Sequence, residues 1–272
     1  MAVAAVRRPT VAGYFYPFDP TALRQSLSHY VGEQSEALPA KGVVVPHGSF
    51  QHAGSLMART LARIAIPPIC VLLGPVHTPT AWKWSCLESG AYATPLGESP
   101  VAETLAAALL KRCAFLSVDP AAHAAEHSLE VPLTALQWLR PQGLSIVPIL
   151  AGADDPEASE QLGKALAAAI KEAAQPVLVL ASADLAQFVD KARARDQVAA
   201  LVQAIQSGDA SQFWMASRVR GMQPCGASAV AALMGFTQAI NAGTMDVVDI
   251  DTSADHGGDP DSAAGYAGVI IR

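Results

Sequence analysis

The chain has 272 residues, of which 51% are hydrophobic and 15% charged, and its formal net charge is −6. A chain of this composition can bury a large core, which excludes an intrinsically disordered protein. No stripe of Lys and Arg runs along it, so the sequence argues against a nucleic-acid partner and against binding to an anionic membrane surface.

Helices and buried strands alternate in the first half of the chain. A first helix begins near Pro20, because Asp19 is a good N-cap and proline suits the first helical position. Continuous apolar runs are typical of strands that are buried on both faces. Such runs predict strands at residues 41–46, 69–73 and 144–149, and helices are predicted at 54–64, 100–112 and 126–139.

The same alternation continues to the end. Helices are predicted at residues 158–173, 191–206 and 227–240, and strands at 176–182, 245–250 and 264–271. Strands that alternate with helices predict an α/β fold, with a central, mostly parallel or mixed sheet covered by helices on both faces. We find no internal repeat and no linker, so we expect a single domain over residues 1–272.

The cysteines and the apolar runs indicate a location in the cell. No uninterrupted apolar run approaches the roughly 20 residues of a membrane-spanning helix. The apolar stretch at the N-terminus is too short for a secretory signal, and charged residues follow it too early. The four cysteines are widely separated and form no CxxC pair, which argues against a zinc knuckle or a disulfide framework. Free thiols in a cytoplasmic protein are the simplest interpretation.

Polar residues follow three of the predicted strands. His47, His77 and Asp184 each stand at or just beyond the carboxyl end of a strand. Ligands of open α/β sheets bind at that edge, so these side chains are expected to converge there. Each residue also has a simpler interpretation. A histidine after a strand is often an ordinary loop residue, and Asp184 could cap a following helix.

Two further residues are ambiguous at this level. Cys225 could be a buried apolar thiol, although Gly226 after it would allow a close backbone approach. His127 lies between Glu126 and Glu130. We place these two glutamates on one face of a predicted helix, where their negative charges at the helix start would complement the macrodipole. The sequence contains no GxGxxG, P-loop, GxSxG or HExxH motif.

Several stretches together resemble the Memo family, also known as AmmeMemoRadiSam system protein B. They span nearly the whole chain in the family's order, and the ordered set is more specific than any one member. The stretches are RPTVAGYFYP (8–17), VPHGSFQHAG (45–54), LGPVH (73–77), EHSLEVPL (126–133), SADL (182–185), PCG (224–226) and AGYA (264–267).

The resemblance implies a metal centre. Memo proteins are similar in fold to the class III extradiol dioxygenases, which hold a non-haem iron(II) with two histidines and a carboxylate. A cysteine takes the carboxylate position in Memo-like proteins, so the implied ligands here are His47, His77 and Cys225. Imidazole suits iron and copper, and a thiolate favours softer metals, so iron(II) is the first expectation and copper or zinc the alternatives.

The chain departs from the family's pattern around the expected proton carrier. Gln187 stands where the family usually has a histidine, and glutamine cannot move a proton near neutral pH. His52 replaces a typical aromatic residue, and His256 is an unusual histidine in the tail. We therefore predict that His127, or alternatively His52, carries protons, and that Asp184 orients substrate or a metal ligand.

Two functions remain open at this stage. The first is a dioxygenase-like oxidoreductase that acts on a small, catechol-like aromatic substrate. The second is a non-catalytic protein on the same fold that binds a metal or a protein partner. The missing histidine favours the second function, whereas the convergence of three candidate ligands favours the first.

Overall fold

The computed structural model describes residues 5–33, 36–78, 84–152, 154–219, 221–222 and 224–272. The α-helices in these ranges are α1 (Pro20–Val31), α2 (Ser55–Ala62), α3 (Glu103–Arg112), α4 (Pro120–Ala124), α5 (Glu130–Leu139), α6 (Pro156–Lys171), α7 (Lys191–Gln206), α8 (Ala210–Ser217) and α9 (Ala227–Ala239). A π-helical turn (Phe50–Gly54) precedes α2, and a 3-10 turn (Ser253–His256) lies near the end of the chain. Among the described residues, no helix is both long and apolar enough to cross a membrane.

Strands make up the rest of the regular structure. They are β1 (Val6–Arg7), β2 (Gly42–Val45), β3 (Ile69–Pro75), β4 (Trp84–Cys86), β5 (Ala91–Thr94), β6 (Gly97–Pro100), β7 (Leu116–Val118), β8 (Ser145–Ala151), β9 (Val177–Ser182), β10 (Ala186–Val189), β11 (Met245–Thr252) and β12 (Ala263–Ile271).

Nine of the strands that the structure describes form one mixed sheet. Its order is β10-β12-β2-β9-β3-β8-β4-β7, and β11 pairs with β12. The central strands β2, β9, β3 and β8 are parallel, whereas β12 runs antiparallel to β2. The central strands are nearly continuously buried because both of their faces are covered. The predicted α/β fold with a mixed sheet is confirmed, as are the three buried strands on which that prediction rested.

Helices cover both faces of the sheet. On one face, α9 packs against β2, β3 and β9, and Gly42 leaves room for its Leu233 side chain. On the other face, α2 packs against β2 and β12. The hydrophobic side chains of both layers join in one large buried cluster. The sheet is therefore the rigid platform on whose carboxyl edge the functional residues lie.

The structure differs from the sequence-based prediction at several elements, and β1, β10, α4 and α8 are among those that were not predicted. Helix α5 begins at Glu130 and not at Glu126, so the expected common helical face of these two glutamates is wrong. The short strands β4 to β7 were not predicted, because three or four residues are too few to establish a period. Strands β5 and β6 join β1 in a separate three-stranded sheet, which ties the start of the chain to the segment after β4.

Candidate metal centre

Three side chains with metal-binding atoms come together at the carboxyl edge of the sheet. His47 follows β2 and His77 follows β3, while Cys225 stands just before α9. Their ligand atoms all lie within 4.8 Å of one another. His77 Nε2 lies 3.0 Å from Cys225 Sγ. The structure thus brings together the three residues that the resemblance implied, from three separate parts of the chain.

A close backbone approach brings Cys225 to this edge. The Cys225 backbone N–H donates a 2.8 Å hydrogen bond to the Asp184 carbonyl oxygen. Gly226 has φ +91°, and a Cβ there would lie 2.6 Å from the Ser182 carbonyl oxygen. Only glycine fits this position, because a side chain would clash with β9 and the left-handed backbone disfavours other residues. Gly226 therefore allows the cysteine to meet the two histidines.

The protonation of His47 follows from its neighbours. The Ser182 hydroxyl donates its single proton to the Ser128 carbonyl oxygen at 2.7 Å. It must therefore accept the 2.9 Å hydrogen bond from His47 Nδ1, which leaves the Nε2 of the neutral ring with a lone pair. Burial lowers the pKa of His47, which favours this neutral form. Nε2 is buried and has no hydrogen-bond partner among the described residues.

Glu126 orients the second histidine. Its Oε1 accepts a 2.8 Å hydrogen bond from His77 Nδ1, so the Nε2 of neutral His77 is free to face Cys225. Burial acts to lower the pKa of His77, but the hydrogen bond and negative charge of Glu126 outweigh it and raise the pKa. Burial alone would raise the pKa of Glu126, but hydrogen bonds from His77 and Ser128 and the charge of His77 lower it to about 2.

A second group of ligand atoms, from His77, Glu126 and His127, is compact enough to hold a metal. The surroundings of Glu126 argue against that use. Its side chain is buried and also accepts hydrogen bonds from the backbone N–H groups of His77, His127 and Ser128. A metal at Glu126 would have to displace these donors. We therefore interpret Glu126 as the support of His77 and not as a ligand.

The thiol of Cys225 is protonated in the metal-free protein. Burial and the negative charges of Asp184 and Glu126 raise its pKa, against the opposing effect of a hydrogen bond from Gln187. When the His77 ring is neutral, its Nε2 can accept a hydrogen bond from this thiol. Metal binding would replace the thiol proton, as is usual for thiolate ligands.

His127 lies beside the two candidate histidine ligands. Its ring is stacked on His77 at a centroid distance of 4.4 Å and lies 5.8 Å from His47. The ring of Phe15 packs against the His127 ring in an edge-to-face contact at a centroid distance of 4.8 Å. Burial lowers the pKa of His127 to about 4, so the imidazole is neutral at neutral pH.

The remaining predicted residues fall into two groups. Asp184 belongs to the centre, because its Oδ1 accepts a 3.0 Å hydrogen bond from the His47 backbone N–H and its Oδ2 lies 4.0 Å from His47 Nε2. His52 lies on the π-helical turn, where its ring nitrogen is 3.4 Å from Ser49 Oγ. His256 pairs with Asp251 at 2.6 Å. Neither His52 nor His256 belongs to a metal-compatible group among the described residues.

Three residues of the centre were not identified from the sequence. They are Glu126, which holds His77, Ser182, which determines the tautomer of His47, and Phe15, which packs on His127. All three lie inside stretches that carry the family resemblance. Their position in those stretches was the available signal, but their roles depend on contacts between distant parts of the chain.

The fold and the site define an α/β protein with a candidate centre of two histidines and one cysteine at the carboxyl edge of its sheet. The family model described as "Memo-like protein" matches residues 7–270. The chain therefore belongs to the Memo family.

Curated relatives agree with this assignment over their whole length. The MEMO1 family protein of Methanopyrus kandleri is 30% identical over 98% of this chain and 99% of its own. The MEMO1 family protein of Methanothermobacter thermautotrophicus is 32% identical over 96% and 99%, and that of Aquifex aeolicus is 31% identical over 98% and 99%. The names of these relatives state a family and no reaction.

The fold is also found in a solved structure. An uncharacterized protein from Escherichia coli K12 superimposes with a TM-score of 0.53 over 86% of this chain and 100% of that chain. The two sequences are 14% identical, so this likeness concerns the fold alone.

Proposed function

We propose that His47, His77 and Cys225 hold iron(II) and that the protein is a dioxygenase-like oxidoreductase for a small, catechol-like aromatic substrate. The observation that carries this proposal is the buried Nε2 of His47, which has no hydrogen-bond partner in the described part of the chain and lies with two other donor atoms in a group no wider than 4.8 Å. A buried polar atom without a partner is costly, and a metal ion would satisfy it.

The donor set fits a transition metal that prefers nitrogen and sulfur ligands. Two imidazole nitrogens and one thiolate sulfur suit iron, copper or zinc and do not suit magnesium or calcium. Both histidines have their other ring nitrogen engaged, by Ser182 and by Glu126, as ligating histidines usually do. Three protein ligands leave coordination positions open, which is the pattern of a catalytic rather than a structural site.

The chain's own residues would bind the substrate and move its proton. When bound, iron(II) would supply the activation of dioxygen that such a reaction needs. His127 is neutral at neutral pH and could accept a proton from a substrate hydroxyl. Phe15 holds the His127 ring in place, and Asp184 fixes the backbone of His47. The stacked rings of His77 and His127 would offer an aromatic substrate a flat contact surface.

A second candidate function is metal or partner binding without turnover. Gln187 interacts with Cys225, at the position where a histidine is typical of the family. Its amide can donate and accept hydrogen bonds but cannot exchange a proton near neutral pH. In this second function the same three residues bind the metal, and the centre serves to retain the metal or to bind a protein partner. For either function we infer a cytoplasmic location, because all four cysteines are free.

The first experiment measures the metal. The protein is purified without oxygen and its metals are quantified by elemental analysis. We expect about one iron per chain, and its loss in His47→Ala and Cys225→Ala. His29→Ala and Cys113→Ala are the matched controls, since neither residue belongs to the centre. Full metal content in His47→Ala and Cys225→Ala would overturn the assignment of the ligands.

The second experiment separates the two functions. The iron-loaded protein is mixed with a panel of catechols and dioxygen, and ring cleavage is followed by absorbance. Turnover that is lost in His127→Ala and kept in His52→Ala supports the enzyme with His127 as proton carrier. Metal binding without turnover, together with activity in Gln187→His, would instead establish a binding protein on an enzyme fold.

A further inference from the structure

A groove lies at the edge of the sheet opposite the metal centre. It has a volume of about 880 Å³ and is formed where the strands β2, β3 and β9 begin, between the helices α6 and α9. His47, His77 and Asp184 follow the carboxyl ends of these same three strands. Strands rise about 3.3 Å per residue, so the seven residues of β3 separate the two sites by roughly 20 Å. The groove is therefore distinct from the metal centre.

Prolines and alanines shape the groove. Pro39, Pro67, Pro68 and Pro176 stand just before the strands, where their fixed φ angles stiffen the wall. Ala167 and Ala168 of α6 line the opposite side, and their small side chains leave the space open. Phe236 of α9 and Ile240, which follows this helix, complete the apolar lining. Volume and lining match the concave, mostly apolar sites that take small molecules.

The charges of the groove have one sign. Among the described residues that line it, the only charged ones are Lys41 and Lys171, and no carboxylate is present. Neither lysine forms an ion pair within the described part of the chain, although the chain as a whole carries a net charge of −6. An apolar groove with two free ammonium groups is complementary to a ligand with an aliphatic chain and an anionic head.

From this complementarity we propose that the groove binds a free, medium-chain aliphatic carboxylate. The chain lies against the alanine and proline wall, and the carboxylate meets Lys41 and Lys171. The carboxylate is bound reversibly and remains chemically unchanged. This inference does not depend on the function proposed for the metal centre.

The test uses the full-length protein and anilinonaphthalene sulfonate, an apolar anion that fluoresces when it leaves water. We expect saturable binding, which dodecanoate displaces with a micromolar dissociation constant. Dodecanol and dodecyltrimethylammonium, which have the same chain and lack the negative charge, should displace it at least about tenfold less well. Equal displacement by the three compounds would overturn the proposal, and so would the absence of saturable binding.

Variants locate the site. Lys41→Gln and Lys171→Gln should each weaken dodecanoate binding about tenfold, since each removes one charged partner. Ala168→Trp should abolish binding by filling the groove. The matched controls are Lys111→Gln and Ala199→Trp, at exposed helical positions outside it. Circular dichroism and metal content should match those of the wild type in all five.

Two results of the variant series would contradict the proposal. The first is wild-type affinity in both lysine variants and in Ala168→Trp. The second is a concentration-dependent dimer that Ala168→Trp disrupts and dodecanoate does not, because the groove would then be an interface between two copies of the chain.

Discussion

Two buried glutamates, four residues apart, serve different parts of the molecule. Glu126 precedes α5 and turns toward the candidate metal centre, where it binds His77. Glu130 is the first residue of α5 and turns the other way, toward the start of the chain. There it accepts hydrogen bonds from the side chains of Arg7, Thr10 and Tyr16. One short motif therefore supports the centre with one carboxylate and anchors the N-terminal segment with the other.

The two carboxylates differ in the charge that balances them. Glu130 forms a buried ion pair with the permanently charged guanidinium of Arg7. Glu126 is balanced by backbone N–H groups and by His77, whose charge depends on pH and on metal binding. Removal of the Glu130 charge leaves a buried cation without a counter-charge, whereas removal of the Glu126 charge leaves a neutral imidazole. The same residue type therefore stabilises the fold at one position and adjusts the orientation and basicity of a candidate metal ligand at the other.

The largest expected effect is on stability, from Glu130→Gln. The change leaves the buried Arg7 without a counter-charge, which costs about 3–5 kcal/mol in the free energy of unfolding. Urea denaturation measures the loss, and the exposed Glu33→Gln is the matched control. If Glu130→Gln does not fold, Arg7→Gln combined with Glu130→Gln should recover part of the stability, since no unpaired charge remains. A loss below about 1 kcal/mol would contradict the anchor role.

The next effect is on metal affinity, from Glu126→Gln. Loss of the carboxylate weakens the orientation and basicity of His77, so we expect metal affinity to fall about 10- to 100-fold. A competition titration against a chelator measures the affinity. Glu88→Gln is the control at an exposed glutamate away from the centre. An unchanged affinity in Glu126→Gln would show that His77 does not need its support.

The central fold could be predicted because its signal is local. Strands β2, β3 and β9 are buried on both faces, so each is a continuous apolar run that can be seen without knowledge of its neighbours. Helix α7 has the predicted bounds, and Asp190 caps its first turn. Strands β4 to β7 were missed because each is stabilised by pairing with other strands, which their few residues do not reveal.

The candidate site was predicted in part by the same rule. His47, His77 and Asp184 were expected to converge because they follow neighbouring parallel strands. The place of Cys225 depended on the family resemblance, because a backbone hydrogen bond to Asp184 brings it there and no local pattern encodes that contact. Glu126 was misinterpreted because the helix was expected to begin four residues too early. Its side chain accepts from its own turn and from His77 instead of complementing a helix dipole.

A third prediction uses acid to weaken the anchor at Glu130. Burial alone would raise the pKa of Glu130, but the charge of Arg7 and hydrogen bonds from Tyr16 and Thr10 outweigh it and lower the pKa. The stabilisation is therefore fully present above the unfolded pKa of about 4.3 and is lost as the pH falls through the lower folded value.

A pH series of urea denaturation tests this direction. The difference in free energy of unfolding between wild type and Glu130→Gln should be constant from about pH 7 to about pH 5, and should shrink below about pH 4. Wild type and variant share all other groups that titrate in acid, so the contributions of those groups cancel in the difference. A difference that grows as the pH falls would give the opposite sign and would contradict the lowered pKa.

The smallest effect compares two buried tyrosines. Tyr16 donates its hydroxyl to the charged Glu130, and burial is the main reason that its pKa is raised, so it keeps its proton. Tyr92 lies 2.7 Å from His123 Nδ1, and burial lowers the pKa of His123 to about 3, so that pair is neutral. A hydrogen bond to a charged group contributes about 2 kcal/mol and one between neutral groups about 1 kcal/mol. Tyr16→Phe should therefore reduce the free energy of unfolding about twice as much as Tyr92→Phe, as measured by urea denaturation at neutral pH. If Tyr92→Phe is the more costly change, the charge of Glu130 does not make the Tyr16 hydrogen bond the stronger of the two.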